Sequence, residues 1–123
     1  MRLLLLLLPL GLFGEAVKFD CVKDDNVTLD MQNDTLYVSN DERKKLWALP
    51  ILLITPDLER LTFRIINWRM DFSLYADGEL YSDMSNKQQK NSCRYLDEAD
   101  RVIVIEYVLE KLNKVKKIES IIT

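Results

Sequence analysis

The segment FSLYADGELYSD, residues 72–83, constrains the fold most, because it has the pattern of two strands joined by a tight turn. Apolar and polar residues alternate on both sides of Asp77-Gly78, which is typical of strands with one buried face. A two-residue turn between such strands needs positive φ at both positions, and Asp-Gly supplies it. Of the three glycines in the sequence, only Gly78 lies beyond residue 14. We therefore predict a hairpin that turns at Asp77-Gly78 and returns from Leu80.

Other segments show the same two-residue period. Residues 27–31 and 36–38 predict two short strands broken near Asn33-Asp34, and residues 61–65 predict another strand. Residues 46–55, LWALPILLIT, form the most apolar stretch after the first fourteen residues. Because proline cannot donate to a sheet ladder, Pro50 predicts that no regular central strand runs through this stretch.

The C-terminal third combines three patterns. Residues 85–92, SNKQQKNS, predict a polar loop, and the β-branched run at 101–108, RVIVIEYV, predicts a strand buried on both faces. Apolar residues then recur every three or four positions over 109–122, which favours an amphipathic helix; a last strand with a frayed end is the alternative. The predicted fold class is all-β, an antiparallel β-sandwich with room for a short C-terminal helix.

The N-terminus has the pattern of a secretory leader. Arg2 precedes an apolar run from Leu3 to Phe13, which is too short to span a bilayer but suits a signal peptide. Small residues before the expected cleavage point predict a signal peptide over residues 1–16 and one secreted domain over 17–123. The alternative is a buried strand or helix at the start of the domain.

Secretion would give meaning to two further features. Cys21 and Cys93 are the only cysteines, and in an oxidising compartment they predict one disulfide, with two free thiols as the alternative. Asn26 and Asn33 each begin an Asn-x-Thr sequence, which predicts N-glycosylation in an extracellular protein.

Composition excludes several function classes. The chain has no histidine, so imidazole-based triads are excluded and the commonest metal ligand is missing. The net charge of −3 is mild and mixed along the chain, which argues against nucleic-acid binding. We predict a protein without enzymatic activity, cofactor or metal, and without membrane contact once the leader is removed.

Three stretches resemble the galectin carbohydrate-recognition domain, a jelly-roll sandwich. Residues 61–81, LTFRIINWRMDFSLYADGELY, are similar to the family's paired strands and hairpin, and residues 91–105, NSCRYLDEADRVIVI, are similar to the segment that leads into its last long strand. The spacing of Asn40, Trp47 and Phe63 resembles that of the family's sugar-contacting asparagine, stacking tryptophan and following phenylalanine. The resemblance covers about residues 27–108 and implies a concanavalin-like jelly roll.

The same resemblance indicates a sugar site with some of its contacts replaced. It places Gln32, Asn40 and Trp47 at sugar-contacting positions, although an apolar run around Trp47 also suits a core residue. The family's histidine and arginine on the first binding strand correspond to Asp30 and Asp34, and its later glutamate and arginine to Pro50 and Leu52.

We therefore expect a secreted, galectin-like carbohydrate-binding protein with a degraded sugar site, whose partner is a glycan or glycoprotein. The alternative function is a protein-interaction module on the same fold. The sequence does not indicate an oligomeric state.

Overall fold

The computed structural model describes residues 16–21, 25–40, 44–65, 70–84 and 89–122. In these ranges the chain forms nine antiparallel strands and one C-terminal helix, so the predicted all-β antiparallel class with a terminal helix is confirmed. The elements are β1 Ala16–Cys21, β2 Asp25–Asp30, β3 Thr35–Asn40, β4 Lys45–Thr55, β5 Arg60–Phe63, β6 Met70–Tyr75, β7 Leu80–Met84, β8 Gln89–Ser92, β9 Arg94–Tyr95 and α1 Arg101–Ile122. The predicted leader lies outside the described residues, apart from Ala16 at the start of β1.

The sheet curls until its two edges meet. The strand order is β8-β7-β6-β5-β4-β3-β2-β1-β9, so β8 and β9 occupy opposite edges although Cys93 alone separates them in the chain. The Cys93 N–H donates to the Leu80 carbonyl at 2.8 Å, whereas the Leu96 N–H donates to the Lys18 carbonyl at 3.1 Å. The segment from β8 to β9 therefore bonds to β7 at one end and to β1 at the other, and nearly closes the sheet.

The predicted disulfide between Cys21 and Cys93 is confirmed. It joins the last residue of β1 to the single residue between β8 and β9. The covalent bond therefore lies at the seam where the two edges of the sheet meet.

The jelly-roll arrangement implied by the resemblance to galectins is not confirmed. A jelly roll is built from Greek-key connections, whereas each strand from β1 to β8 pairs with its neighbours in sequence. The predicted strands around residues 27–31, 36–38, 61–65 and 72–76 are present as β2, β3, β5 and β6.

β4 runs through Pro50, but it is not a regular central strand at that point, as the sequence predicts. Residues 45–50 pair with β3, residues 51–55 pair with β5, and the register shifts between Ile51 and Leu53. The Pro50 carbonyl accepts a hydrogen bond from the Arg64 N–H at 3.1 Å. Pro50 is tolerated because it sits at the point where β4 changes its pairing, next to a bulge.

The hairpin between β6 and β7 is confirmed, but its turn is longer than predicted. Positive φ occurs at Gly78 (+89°) and not at Asp77. The Gly78 N–H donates to the Tyr75 carbonyl, and the Tyr75 N–H donates to the Glu79 carbonyl, both at 2.9 Å. This is a three-residue loop that ends in a left-handed glycine, in which one positive φ is enough.

The segment 101–108 is the first part of α1, so the prediction of a buried strand is wrong. Asp97 accepts a hydrogen bond from the Ala99 N–H and starts a 3-10 turn that leads into the helix. The side chains that the helix buries follow helical spacing: Val104, Tyr107, Val108 and Leu112. Val102 and Ile103 face solvent instead. The helix predicted over 109–122 is confirmed.

β8 occupies part of the predicted loop 85–92, so that prediction is wrong for residues 89–92. This strand pairs with β7, from Tyr81↔Ser92 to Met84↔Gln89. The sequence QKNS shows no alternation of apolar and polar residues. A strand forms there nevertheless, because backbone hydrogen bonds to a neighbouring strand are enough to define an edge strand.

One hydrophobic core fills the inside of the curled sheet. Alternate residues of β1 to β7 point inward and meet across the strands, for example Leu29, Leu36 and Leu49 in one row and Phe63 and Phe72 in another. The buried helix residues and Tyr95 belong to the same cluster. A sheet that closes around about eight strands leaves an interior that side chains can fill.

α1 lies across one end of the sheet and is held at two points. It packs against β4, β5 and β6. The Tyr107 hydroxyl and Lys111 Nζ each donate to the Asp34 carboxylate at 2.8 Å, in the turn between β2 and β3. Near the start of α1, Arg101 donates to Glu79 at 3.0 Å, in the turn between β6 and β7.

Candidate ligand-binding face

The outer surface of β5 to β7 carries a row of polar side chains that we call the polar face. β5 and β6 alternate strictly, so their leucines and phenylalanines point into the core and the residues between them point out. Cross-strand pairing brings Thr62 opposite Ser73, and Ser73 opposite Tyr81. The polar face consists of Arg60, Thr62, Arg64, Asp71, Ser73, Tyr75 and Tyr81.

The polar face holds most of the buried polar atoms that lack hydrogen-bond partners in the described residues. In the described part of the chain, five buried side-chain nitrogen or oxygen atoms have no hydrogen bond, and four of them belong to the polar face: Arg60 Nε, Thr62 Oγ1, Arg64 Nε and Asp71 Oδ1. The fifth, Thr55 Oγ1, is on β4 in the residue that pairs with Arg60. Each such atom costs on the order of 1–3 kcal/mol, so unpaired atoms are few in native proteins and call for an explanation.

One of the two arginines of the polar face has no ion-pair partner among the described residues. Arg64 pairs with Asp71 through the Nη2 and Oδ2 atoms. Within the described residues Arg60 forms no ion pair. The polar face thus offers the guanidinium of Arg60 together with carboxylate and hydroxyl oxygens.

Two tyrosines form an aromatic wall at the β6–β7 side of the polar face. The rings of Tyr75 and Tyr81 meet edge to face, with centroids 5.6 Å apart and planes at 84°. Both residues are partly exposed. A tyrosine in this setting offers an apolar ring surface together with a polar hydroxyl.

Thr62 and Ser73 lie beneath these longer side chains. They are only 6% and 7% exposed, and on the same face Arg60 and Arg64 flank Thr62, whereas Asp71 and Tyr75 flank Ser73. The arrangement can bind an oxygen-rich molecule, because donors, acceptors and aromatic rings lie together.

The structure separates the three residues predicted to contact sugar. Gln32 is exposed in the turn before β3, whereas Asn40 is buried at the far end of that strand. Five strand steps from residue 35 to residue 40 span about 17 Å. Gln32 therefore does not share a ligand of monosaccharide size with Asn40.

Asn40 and Trp47 do lie near each other. Val38 pairs with Trp47 and Asn40 pairs with Lys45, so Asn40 and Trp47 are diagonal neighbours on adjacent strands. Trp47 packs against the core, in line with the alternative noted for it above. Sugar contact by either residue stays a prediction.

The two predicted glycosylation sites are accessible at the surface. Asn26 is exposed on β2, and Asn33 is exposed in the turn between β2 and β3. The Asn33 amide donates to Asp30 at 2.8 Å. Their modification stays a prediction.

A second polar region, beside the disulfide, is already satisfied. A depression there is lined in part by Asp20, Arg94, Glu98 and Arg101. Arg94 pairs with Asp20 at 2.9 Å, and Arg101 pairs with Glu98 at 2.6 Å. Because these charges already have partners, the depression is a weaker candidate than the polar face.

Among the described residues, no three Cys, Asp or Glu side chains cluster as metal ligands would. Within the same ranges, no helix has both the length and the apolar character needed to cross a bilayer.

Comparisons with known proteins do not place the chain in a family. No protein-family model, no curated protein and no solved structure matches it.

The sequence contained a signal for the polar face. Residues 60–64, RLTFR, and 71–75, DFSLY, alternate between apolar and polar residues, which predicts strands with one face in water. What the sequence does not reveal is that the hydroxyls of this face are buried, because that depends on which side chains of neighbouring strands lie over them.

Proposed function

We propose that the chain is a secreted, non-catalytic glycan-binding protein whose ligand contacts the polar face. The observation that carries the proposal is the concentration of unpaired, buried polar atoms on that one surface. A site built to hydrogen-bond hydroxyl groups contains such atoms until its ligand satisfies them.

The composition of the polar face favours a saccharide with an acidic group. The hydroxyls and Asp71 match sugar hydroxyls, and the tyrosine rings offer apolar surface for the face of a sugar ring. The guanidinium of Arg60 has no ion-pair partner among the described residues, and guanidinium groups bind carboxylate or sulfate in a bidentate manner.

We also propose that the sheet forms a sandwich, as the resemblance to galectins implies. β4 pairs with β3 in its first half and with β5 in its second half, and it is irregular between them. Strands that switch sheets at a bulge form the corners of orthogonally packed sandwiches. We infer that the two halves of the curled sheet pack face to face in this way, and that the polar face covers the outside of one half.

A valine at position 62 tests the proposal. Thr62→Val removes the unpaired hydroxyl and keeps the side-chain shape, so we expect the free energy of unfolding to rise by about 1 kcal/mol. Glycan affinity should fall about tenfold in the same variant, because a hydrogen bond to the ligand is lost. Urea unfolding and calorimetric titration measure the two effects on the same protein.

The probes are a glycan array and then titration with the strongest acidic saccharide and its neutral counterpart. Arg60→Gln should reduce binding of the acidic saccharide more than binding of the neutral one. Thr28→Val, on β2 and away from the polar face, is the matched control and should bind like wild type.

Two results would contradict the proposal. One is a wild-type protein that binds no saccharide on the array, which would favour the alternative of a protein-interaction module. The other is equal loss of binding in Thr62→Val and Thr28→Val, which would place the site elsewhere.

A further inference from the structure

The outer face of β4 continues the polar face beyond β5. Leu53 pairs with Thr62, and Thr55 pairs with Arg60. Directly opposite residues of an antiparallel pair point to the same face of a sheet, so Leu53 and Thr55 lie on the outside together with the polar face. Ile54, between them, packs against the core. We call Leu53 and Thr55 the β4 extension.

Leu53 gives the row of buried hydroxyls a second apolar end. The row consists of cross-strand neighbours on β4 to β7: Leu53, Thr62, Ser73 and Tyr81. It spans about 14 Å, because neighbouring strands lie about 4.8 Å apart. Leu53 is 55% exposed, whereas Thr62 beside it is 6% exposed. A ligand that lies along the row therefore meets an aliphatic side chain at one end and a phenol ring at the other.

Thr55 has a hydroxyl that the polar face does not account for. Its Oγ1 atom is buried and has no hydrogen-bond partner. The residue is at the N-cap position of the 3-10 turn Pro56–Leu58, where a threonine side chain ordinarily accepts a backbone N–H. Thr55 makes no such capping bond. An unpaired hydroxyl therefore lies two residues from Leu53, on the same face of the strand.

An aliphatic side chain next to unpaired hydroxyls matches an acylamino group. Such a group has an apolar end, the acyl methyl, and an amide that both donates and accepts hydrogen bonds. Leu53 offers surface for the methyl, and the hydroxyls of Thr55 and Thr62 can pair with the amide. A plain alkyl substituent would contact the leucine and leave both hydroxyls unpaired, which costs free energy.

The guanidinium of Arg60 is within reach of the same ligand. Leu53 and Arg60 are diagonal neighbours across the β4–β5 pair, so their Cβ atoms are about 7–8 Å apart. Two substituents on opposite sides of one sugar ring have a comparable separation. We propose that the β4 extension binds the N-acyl group of an acidic saccharide whose acidic group pairs with Arg60. This assignment rests on the proposed function of the polar face and names the class of saccharide that it selects.

The test compares two probes that differ in one substituent. The first is N-acetylneuraminic acid, which has a carboxylate and an N-acetyl group on one ring, and the second is its analogue with a hydroxyl in place of the N-acetyl group. Heteronuclear NMR titration of the full chain measures both dissociation constants. Wild type should bind the N-acetylated acid about tenfold more tightly, because it gains a buried methyl group and hydrogen bonds to the amide.

Leu53→Ala and Thr55→Val each remove one part of the contact. Either change should weaken binding of the N-acetylated acid about fivefold and leave binding of the hydroxyl analogue within about twofold of wild type. Leu46→Ala is the matched control, because Leu46 is an exposed leucine of the same strand that pairs with β3 and not with β5. It should bind both probes like wild type. A thermal melt should show that all three variants fold.

Three outcomes would overturn the inference. One is equal affinity of wild type for the two probes, and another is an equal loss for both probes in Leu53→Ala, which would place the leucine against the sugar ring. The third is a wild type that does not bind the N-acetylated acid. The proposed function survives each of these results if an acidic saccharide on the array binds in a manner that depends on Thr62, and it falls together with the inference if none does.

Discussion

Gly78 has two separate reasons to be glycine. Its φ of +89° is one that other residues rarely adopt, and a Cβ there would lie 2.8 Å from Arg101 Cγ and 3.2 Å from the Tyr95 hydroxyl oxygen. The Tyr95 hydroxyl also donates to the Gly78 carbonyl at 2.5 Å. The glycine is thus both a turn residue and the surface on which the start of α1 packs.

Gly78→Ala should lower the free energy of unfolding by about 3 kcal/mol, the sum of a left-handed backbone and a forced shift of α1. Urea unfolding measures it. Asp77→Ala, in the same turn, loses only the bond from the Glu79 N–H and should cost about 0.5–1 kcal/mol. Equal stability of the two variants would show that α1 does not pack on the turn.

Tyr107 makes the free energy of unfolding depend on pH in the alkaline range. Burial, followed by the hydrogen bond to Asp34, raises the pKa of Tyr107 above its usual value. The unfolded chain releases this proton from about pH 10, whereas the folded chain keeps it. The unfolded state therefore binds fewer protons above about pH 10, and stability falls as pH rises.

Tyr107→Phe removes that proton, so its free energy of unfolding should fall less steeply than that of wild type above about pH 10. The difference in slope reaches about 1.4 kcal/mol per pH unit. Urea unfolding of both proteins from neutral to alkaline pH measures it. Identical slopes would mean that the Tyr107 hydroxyl is not held in the folded protein as described.

At the scale of elements, strands were easier to predict than the helix start. β2, β3, β5 and β6 carry a clear two-residue period, and this period follows from one buried face. Residues 101–108 led to a wrong prediction of a strand, because β-branched residues favour strands only weakly. Packing against the rest of the protein decides whether such a segment becomes a strand or a helix. The capping residue Asp97, four positions upstream of α1, was the local signal for a helix.

β4 shows that rules for single residues do not predict the path of a whole strand. Pro50 argues against a regular central strand, and β4 continues past it only by changing its pairing from β3 to β5. The exposure of two consecutive leucines, Leu52 and Leu53, follows from the bulge, and the sequence alone does not show where a bulge falls.

At the scale of the whole molecule, the disulfide holds the seam of the sheet. Cys21 and Cys93 are separated by 72 residues, and closing a loop of that length removes about 4 kcal/mol of unfolded-state entropy. Cys21→Ala with Cys93→Ala should therefore lower the free energy of unfolding by about that amount. Reductant should destabilise wild type to a similar extent and leave the double variant unchanged; a variant as stable as oxidised wild type would contradict this.

The sequence predicted the class of the fold, the hairpin, most strands and the disulfide. It did not predict that β9 pairs with β1, because that contact joins residues about 75 positions apart and leaves no local pattern. It also grouped Gln32 with Asn40, since a pattern match does not show that a strand separates them. The polar face depends on cross-strand neighbours and emerges only in three dimensions.

The most direct measurement of the central claim is a heteronuclear NMR titration of the protein with the acidic saccharide selected on the array. We expect the side-chain Nε–H resonances of Arg60 and Arg64 and the amide of Thr62 to shift together as the saccharide is added. The Trp47 indole resonance, on the inward face, should stay in place. Shifts at Trp47 and Asn40 without any at β5 would contradict the account and return the site to the position that the sequence first suggested.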